Sequence, residues 1–296
     1  GGAPSPAGVK KDLRLSADEE SVILPLVEKI LESQKSHATW RRSSDRELRR
    51  AVKTSRFLSK AMRHLTLKLR RDEQGFTEIG GLVVLPRYRG LPEKLGAQLS
   101  YIRFAYLARH LGRFRSRLLV EYLPRLSPRG GNQFWDAVGK KFTGLSYREA
   151  DRLSRISKEF IVSLFPHELI DASLLPSAAL GSLGIPGPGA RASVRMLRKI
   201  SFRFLNQVDP FDGGPHFGSR LSKVSLIRRT VFLKYAGTRR FRRSGGLSGL
   251  VAKEDRGEFQ ALDTPYQKKG ARLLLPPETA RLLRLQPGEE LSLTPF

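Results

Sequence analysis

Residues 78–96 carry the most informative grouping of side chains in the sequence. Glu78 precedes an apolar run, Ile79-Gly80-Gly81-Leu82-Val83-Val84-Leu85, and Pro86 stops it. A basic turn follows, with Arg87, Arg89, Gly90, Lys94 and Gly96. A strand that ends in such a turn and then opens a helix presents free backbone N–H groups and a partial positive charge. That arrangement suits a pyrophosphate. Gly90 and Gly96 let the backbone come close, and Arg87, Arg89 and Lys94 add charge. The spacing matches neither the Walker loop nor the dinucleotide glycine fingerprint. A plain strand-to-helix turn with solvated arginines accounts for the same residues and stays open as the alternative.

The elements that must position this turn read as a strand–helix–strand unit. Ile79–Leu85 is a near-continuous apolar run, the pattern of a strand buried on both faces. A long helix then runs through about His110, with Ala97, Tyr101, Phe104, Ala105 and Ala108 as its apolar stripe. Leu118–Leu123 is the next strand, and a helical crossover makes the two strands parallel. Farther along, short helices are expected at Phe134–Phe142, Tyr147 to about Phe165, and Ala190–Ile200, with a strand from Phe202. Upstream, helices are expected from Ser16 and from Ser44 to about His64. The expected division is a disordered tail at 1–11, a helical region at 12–65, a core at 66–219 and a small β-rich subdomain at 220–296.

Composition bounds the chemistry. The 296 residues include 54 lysines and arginines against 28 acids, a formal charge of +26. Such a charge attracts polyanions, either nucleic acid or a phosphate-bearing cofactor. Cysteine is absent, which excludes disulfides, thiolate zinc sites and thiol catalysis. The five histidines are dispersed, so no metal site is expected. No apolar run approaches the roughly 18–20 residues of a membrane span, and a cytoplasmic protein without membrane partners is the expectation.

The segment from Leu82 to Gly90, followed by Gly96, resembles the acyl-CoA loop of the GNAT acyltransferases. More closely, Thr77–Gly90, Phe134-Trp135 with Gly139-Lys140-Lys141-Phe142, Ala150-Asp151, Lys158–Ile161, Leu174-Leu175-Pro176 and Phe211-Asp212-Gly213-Gly214-Pro215 follow the order seen in arginine N-succinyltransferases. The closing stretch Pro277–Leu283 is also similar to the end of that family. The resemblance implies an α+β, GNAT-like mixed sheet flanked by helices, with a β-rich C-terminal subdomain. It implies transfer of succinyl from succinyl-CoA to the α-amine of arginine, in arginine catabolism, with no metal. Pantetheine would lie along Leu82 and Val84 where two strands splay, and the pyrophosphate on Arg87, Arg89, Gly90, Lys94 and Gly96. Glu78 is the first candidate base and Glu121 the second; Tyr101, Tyr122 and His216 are candidate proton donors. Asp212, with Gly213, would face the guanidinium of arginine. The family's histidine before a proline has no counterpart between Gly181 and Gly189. A homo- or hetero-oligomer is compatible with this reading. Two other readings remain: a basic nucleic-acid-binding protein, and a non-catalytic subunit of an acyltransferase.

Overall fold

The structure is a computed structural model that describes residues 65–92, 94–241 and 247–296. The expected tail at 1–11 and the helices expected upstream of His64 lie outside these residues. In chain order the strands are β1 Thr66–Leu67, β2 Thr77–Glu78, β3 Arg117–Glu121, β4 Ile170–Asp171, β5 Arg203–Val208 and β6 Pro215–Arg220. Then come β7 Val231–Thr238, β8 Ser248–Asp255, β9 Glu258–Pro265, β10 Gln267–Lys269, β11 Arg272–Leu275 and β12 Glu290–Pro295. The α-helices are α1 Leu95–Arg109, α2 Gln133–Ala137, α3 Gly139–Thr143, α4 Tyr147–Ser154 and α5 Glu159–Leu164. They continue with α6 Ser177–Leu180, α7 Arg191–Lys199, α8 Ser225–Arg229 and α9 Pro277–Leu282. The fold is α+β with parallel and antiparallel pairing in its sheets. No described helix is long and apolar enough to cross a membrane.

The chain forms two compact units. Among described residues the first takes 65–73, Tyr122–Pro188 and Asn206–His216. Its core is aromatic. Trp135 is fully buried and packs with Phe165 and Phe211, at ring separations of 6.0 and 5.0 Å. An indole buries well only if its N–H finds an acceptor, and Trp135 Nε1 donates to the Leu145 carbonyl at 3.0 Å. The helix expected over Phe134–Phe142 is two helices, because Val138 leaves helical geometry with φ −120° and ψ −73°. The second starts at Gly139, where a methyl group would fall 2.2 Å from the Trp135 ring. The single helix expected over Tyr147–Phe165 also divides. Ser146 and Glu149 close a capping box at the start of α4, and a turn around Ser157 separates α4 from α5.

The second unit takes Gln74–Glu121, Gly189–Leu205 and Phe217–Phe296. Here β2 runs parallel to β3, with Thr77 opposite Leu118 and Glu78 opposite Leu119. The parallel pairing agrees with the sequence expectation; the strand's position does not. Beyond Ile79 the run Gly80–Leu85 is irregular, and Leu82, Val83 and Leu85 are exposed rather than buried on both faces. The Gly80-Gly81 pair is the reason. Gly81 takes φ +70°, outside the extended region, and β2 sits at the end of the sheet order β2-β3-β6-β5. Apolar residues without a second strand to pair with do not make a central strand.

After this unit's helix α8, a six-stranded sheet has the order β10-β11-β7-β12-β8-β9. Its outermost strands, β9 and β10, are separated in the chain by Tyr266 alone. Leu233, Leu250, Val251, Leu273, Leu275, Leu291 and Leu293 are buried on it. The first unit-two helix, α1, ends on this sheet's charges: Arg109 lies 3.5 Å from Glu254, and His110 Nε2 lies 2.6 Å from the same carboxylate.

Candidate functional site

Helix α1 begins at Leu95, so Gly96, read from the sequence as the end of the basic turn, lies in the helix's first turn. Lys94 caps it in the left-handed region, with φ 50°, and the Lys94 side chain makes no capping hydrogen bond. Lys94's carbonyl accepts from Ala97 and Gln98, at 2.8 and 3.2 Å. Among the described residues the amides of Leu95 and Gly96 have no acceptor. These are the N–H groups that a helix start leaves for a ligand. They open on a cleft of about 540 Å³ lined by Val84, Arg89, Gly90, Lys94 and Gly96 together with neighbouring apolar side chains.

The loop that faces this helix start is held by its own backbone. Pro86–Tyr88 forms one tight helical turn, closed by Tyr88 N–H on Leu85 O at 2.9 Å and Arg89 N–H on Pro86 O at 3.1 Å. Arg89 Nε donates to the Val84 carbonyl at 2.8 Å, which fixes the stem of that side chain along the cleft wall. Arg87 instead lies over the Tyr88 ring, 4.8 Å from its centroid, outside the cleft lining. Gly90 adopts φ +75°, so the turn that brings Arg89 round needs glycine there. Of the residues expected to meet a pyrophosphate, the structure gathers Arg89, Gly90, Lys94 and Gly96 and leaves Arg87 aside.

Upstream, the two parallel strands part. Ile79 N–H donates to Leu119 O at 2.8 Å, and beyond it the chain leaves β3. Arg103 of α1 donates to the Gly80 carbonyl at 3.3 Å, at the point of departure. The amides of Leu82, Val83 and Val84 have no acceptor among the described residues. Glu78 is exposed on β2, opposite Leu119; Glu121, two residues along β3, falls on the same face and is also exposed. The two candidate bases therefore share one side of the parting strands. Tyr101 lies elsewhere, on α1 against Phe296, with burial pushing its phenol upward.

The first unit contains the other expected residues. Asp209–Gly214 is a turn pinned from several directions. Asp209 N–H donates to Gly214 O and Gly213 N–H to Asp209 O, each at 2.8 Å. Asn132 Nδ2 donates to Asp212 O at 2.8 Å, and Gly184 N–H to Gly213 O at 2.9 Å. Asp212 is buried, and its Oδ1 accepts from Gly214 N–H at 2.7 Å. Burial, then the neighbouring Asp209, pushes its carboxyl up to about 7, against the opposing Gly214 hydrogen bond and Lys158 charge. Its second carboxylate oxygen makes no hydrogen bond among the described residues. Gly213 holds φ +75° beneath the Phe134 ring. Tyr122 N–H donates to Pro215 O at 3.2 Å. His216 is half-buried on β6 with Nε2 out of contact with solvent.

Sequence reading missed Tyr147. Its ring stacks on Phe211 at 5.1 Å, and burial followed by the Asp212 charge pushes its phenol up to about 12. A neutral phenol beside Asp212 at all ordinary pH is the result. The position after the Ser146 cap was the available signal, since a capped start fixes where the first helical side chain points.

Residues 44–226 match the family model described as arginine N-succinyltransferase beta subunit. The arginine N-succinyltransferase subunit alpha of Pseudomonas aeruginosa is 36% identical over 144 residues, which are 48% of this chain and 43% of that protein. The arginine N-succinyltransferase of Yersinia pestis is 29% identical over 230 residues, 76% of this chain and 65% of that protein. Among solved structures, the arginine/ornithine succinyltransferase subunit AI from Pseudomonas aeruginosa superposes with a TM-score of 0.59 at 29% identity, over 70% of this chain and 59% of that one. The chain thus spans between about two fifths and two thirds of the length of these relatives.

Proposed function

The chain belongs to the arginine N-succinyltransferase beta subunit family, and from that premise we propose that it is an acyl-CoA-dependent amine N-acyltransferase of GNAT-like fold. It moves succinyl from succinyl-CoA to the α-amine of arginine, in arginine breakdown. The observation that carries the reading is the cleft at the start of α1, lined by Arg89, Lys94, Leu95 and Gly96, where among the described residues the Leu95 and Gly96 amides have no acceptor. A diphosphate meets N–H donors, a helix dipole and two cations there. Succinyl-CoA as co-substrate and an assembly of subunits fit the relatives, two of which are named as subunits, and the cytoplasm is the location this reading carries. Residues 66–219 make the acyltransferase core and 220–296 its β-rich companion.

The reaction asks little covalent chemistry of the protein. The neutral amine attacks the thioester carbon; a C–N bond forms, the C–S bond breaks, a base takes the amine proton, and the departing sulfur takes a proton. Pantetheine extends along Leu82–Val84, whose amides have no acceptor among the described residues and serve its amide groups and the developing oxyanion. Glu78 accepts the amine proton, with Glu121 on the same face as the second choice. His216 and Tyr122 are the donors proposed for the leaving thiolate. Asp212 pairs with the guanidinium through its second oxygen, which makes no hydrogen bond among the described residues, and paired contacts of this kind are strong and directional.

Glu78→Gln is expected to lower kcat by roughly 100-fold or more, the usual worth of a general base. Glu78 is exposed, so its thermal midpoint should barely move. Unchanged turnover would remove Glu78 from the mechanism and pass the role to Glu121. The function itself is tested by offering succinyl-CoA and other acyl-CoAs with a panel of amines and reading free thiol. Release that requires both succinyl-CoA and arginine supports the reading; salt-sensitive RNA binding without thiol release favours the nucleic-acid alternative.

A pH dependence follows from Asp212. An acid whose folded pKa is raised is favoured in its protonated form by the native state. Its effect on stability is absent below the ordinary value of 3.8 and becomes an increasing penalty as pH climbs toward about 7. A bound guanidinium favours the ionised form, so the KM for arginine should fall as pH rises through that range. Asp212→Asn should flatten this dependence and raise KM. A wild-type KM with no pH trend through neutrality would release Asp212 from substrate recognition.

A further inference from the structure

A second cleft, about 500 Å³, continues from the first within the same unit. Both are lined by Pro92, Lys94 and Ala97. The second extends along the next turns of α1 to Gln98 and Tyr101, and is completed by Asp263 of β9 and by Phe296. Lys94, Gln98 and Tyr101 are spaced to share one face of a helix. The rings of Tyr101 and Phe296 stand 5.5 Å apart and tilted by 42°. Phe296 is 47% exposed, a large apolar ring turned partly to water at the cleft's edge.

This cleft differs in chemistry from the first. Among the described residues, its lining side chains bring one ammonium, shared with the first cleft, and one carboxylate. A second phosphate would face the Asp263 carboxylate, whereas a flat base with an exocyclic amine would donate to it. Two aromatic faces beside an acceptor make a stacking site for a purine.

We infer that the cleft between α1 and the Asp263–Phe296 edge of the six-stranded sheet seats the adenine ring of coenzyme A, stacked at Tyr101 and Phe296 with its amine on Asp263. The inference rests on the acyl-CoA reading and extends it. The β-rich part of the second unit thereby becomes half of the nucleotide site. Diphosphate at the α1 start and base one to two turns farther along form one continuous run, with Lys94 at the junction. Asp263 stands exposed at the cleft's rim, where partial desolvation raises its carboxyl above the ordinary value and a donating amine would favour the ionised form.

The test is titration calorimetry of the full chain with CoA, with 4′-phosphopantetheine, which lacks the adenosine, and with adenosine 3′,5′-bisphosphate, which lacks the pantetheine. Phe296→Ala is expected to weaken CoA and the bisphosphate by roughly tenfold, the usual loss for one base stack, and to leave 4′-phosphopantetheine unchanged. Asp263→Ala should act in the same sense. Unchanged CoA affinity in both variants, or equal weakening of CoA and 4′-phosphopantetheine, overturns the inference. If the wild-type chain binds neither CoA nor 4′-phosphopantetheine, the acyl-CoA reading falls. The bisphosphate then decides the cleft alone: binding that Phe296→Ala abolishes keeps it, and no binding removes it.

Discussion

Gly96→Glu abolishes CoA binding while leaving the fold at least as stable as before: this is the expected result, and its two halves have opposite signs. A side chain at position 96 starts from ordinary contact, with Val84 Cγ2 at 3.6 Å from the added carbon. A carboxylate in the first turn of a helix is favoured by the dipole, by about 0.3–1 kcal/mol. The same carboxylate stands among the amides that open on the cleft, where it occupies the anion position and repels a diphosphate. Affinity for CoA should fall by about 100-fold or more, since a charge pair at this range is worth a few kcal/mol in a partly buried site. Gly96→Ala, which adds volume without charge, should cost far less. Calorimetry with CoA and a thermal melt on the same samples check both halves. Intact binding in Gly96→Glu would show that the diphosphate goes elsewhere.

Gly214→Ala should damage the first unit more than any change at its surface. The added carbon would fall 2.1 Å from the Tyr122 carbonyl oxygen and 2.8 Å from Asp212 Oδ1. The Tyr122 oxygen is backbone, so it cannot swing aside. The displaced turn carries the Gly213–Asp209, Gly184–Gly213 and Asn132–Asp212 hydrogen bonds, and these must move with it. A loss of about 4 kcal/mol belongs to this class of backbone collision, and would lower the melting temperature by roughly 10 °C. A midpoint within a degree or two of wild type would mean that the turn yields easily, and the fixed placement claimed for Asp212 would fail with it.

The sequence made some parts of this molecule legible and hid others for identifiable reasons. Helix α1 was readable because Phe104, Ala105 and Ala108 recur at helical spacing and are indeed buried. Ala97 and Tyr101 shared that stripe and yet are only half-buried, because they line the clefts instead of the core. Spacing alone does not separate a residue facing other side chains from one facing a cleft. The Ile79–Leu85 run was misread for the complementary reason. Its apolar content suggests a central strand, but Gly81 turns the chain away from β3 and exposes Val83 at 71%. The error lies where the proposed mechanism has the strands diverge.

The basic turn itself was found from types and spacing, although its last two residues, Leu95 and Gly96, belong to the helix. What spacing could not rank was its arginines: Arg89 is tied to Val84 O, while Arg87 stacks on Tyr88. Tyr147 was invisible because its partner Asp212 is brought to it by the aromatic packing of Phe211 rather than by anything near it in the chain. Asp212 was noticed for its glycines, and its burial supplies the property that makes it informative.

The six-stranded sheet has its two outermost strands joined through Tyr266. A ribbon whose margins are one uninterrupted stretch must curl until they adjoin. At that corner the two margins meet, which leaves less rim for another molecule to zip onto, the route by which flat sheets seed fibrils. A highly cationic chain is guarded against clumping by charge only until a polyanion or concentrated salt screens it; in this portion, the curl supplies protection that screening does not remove.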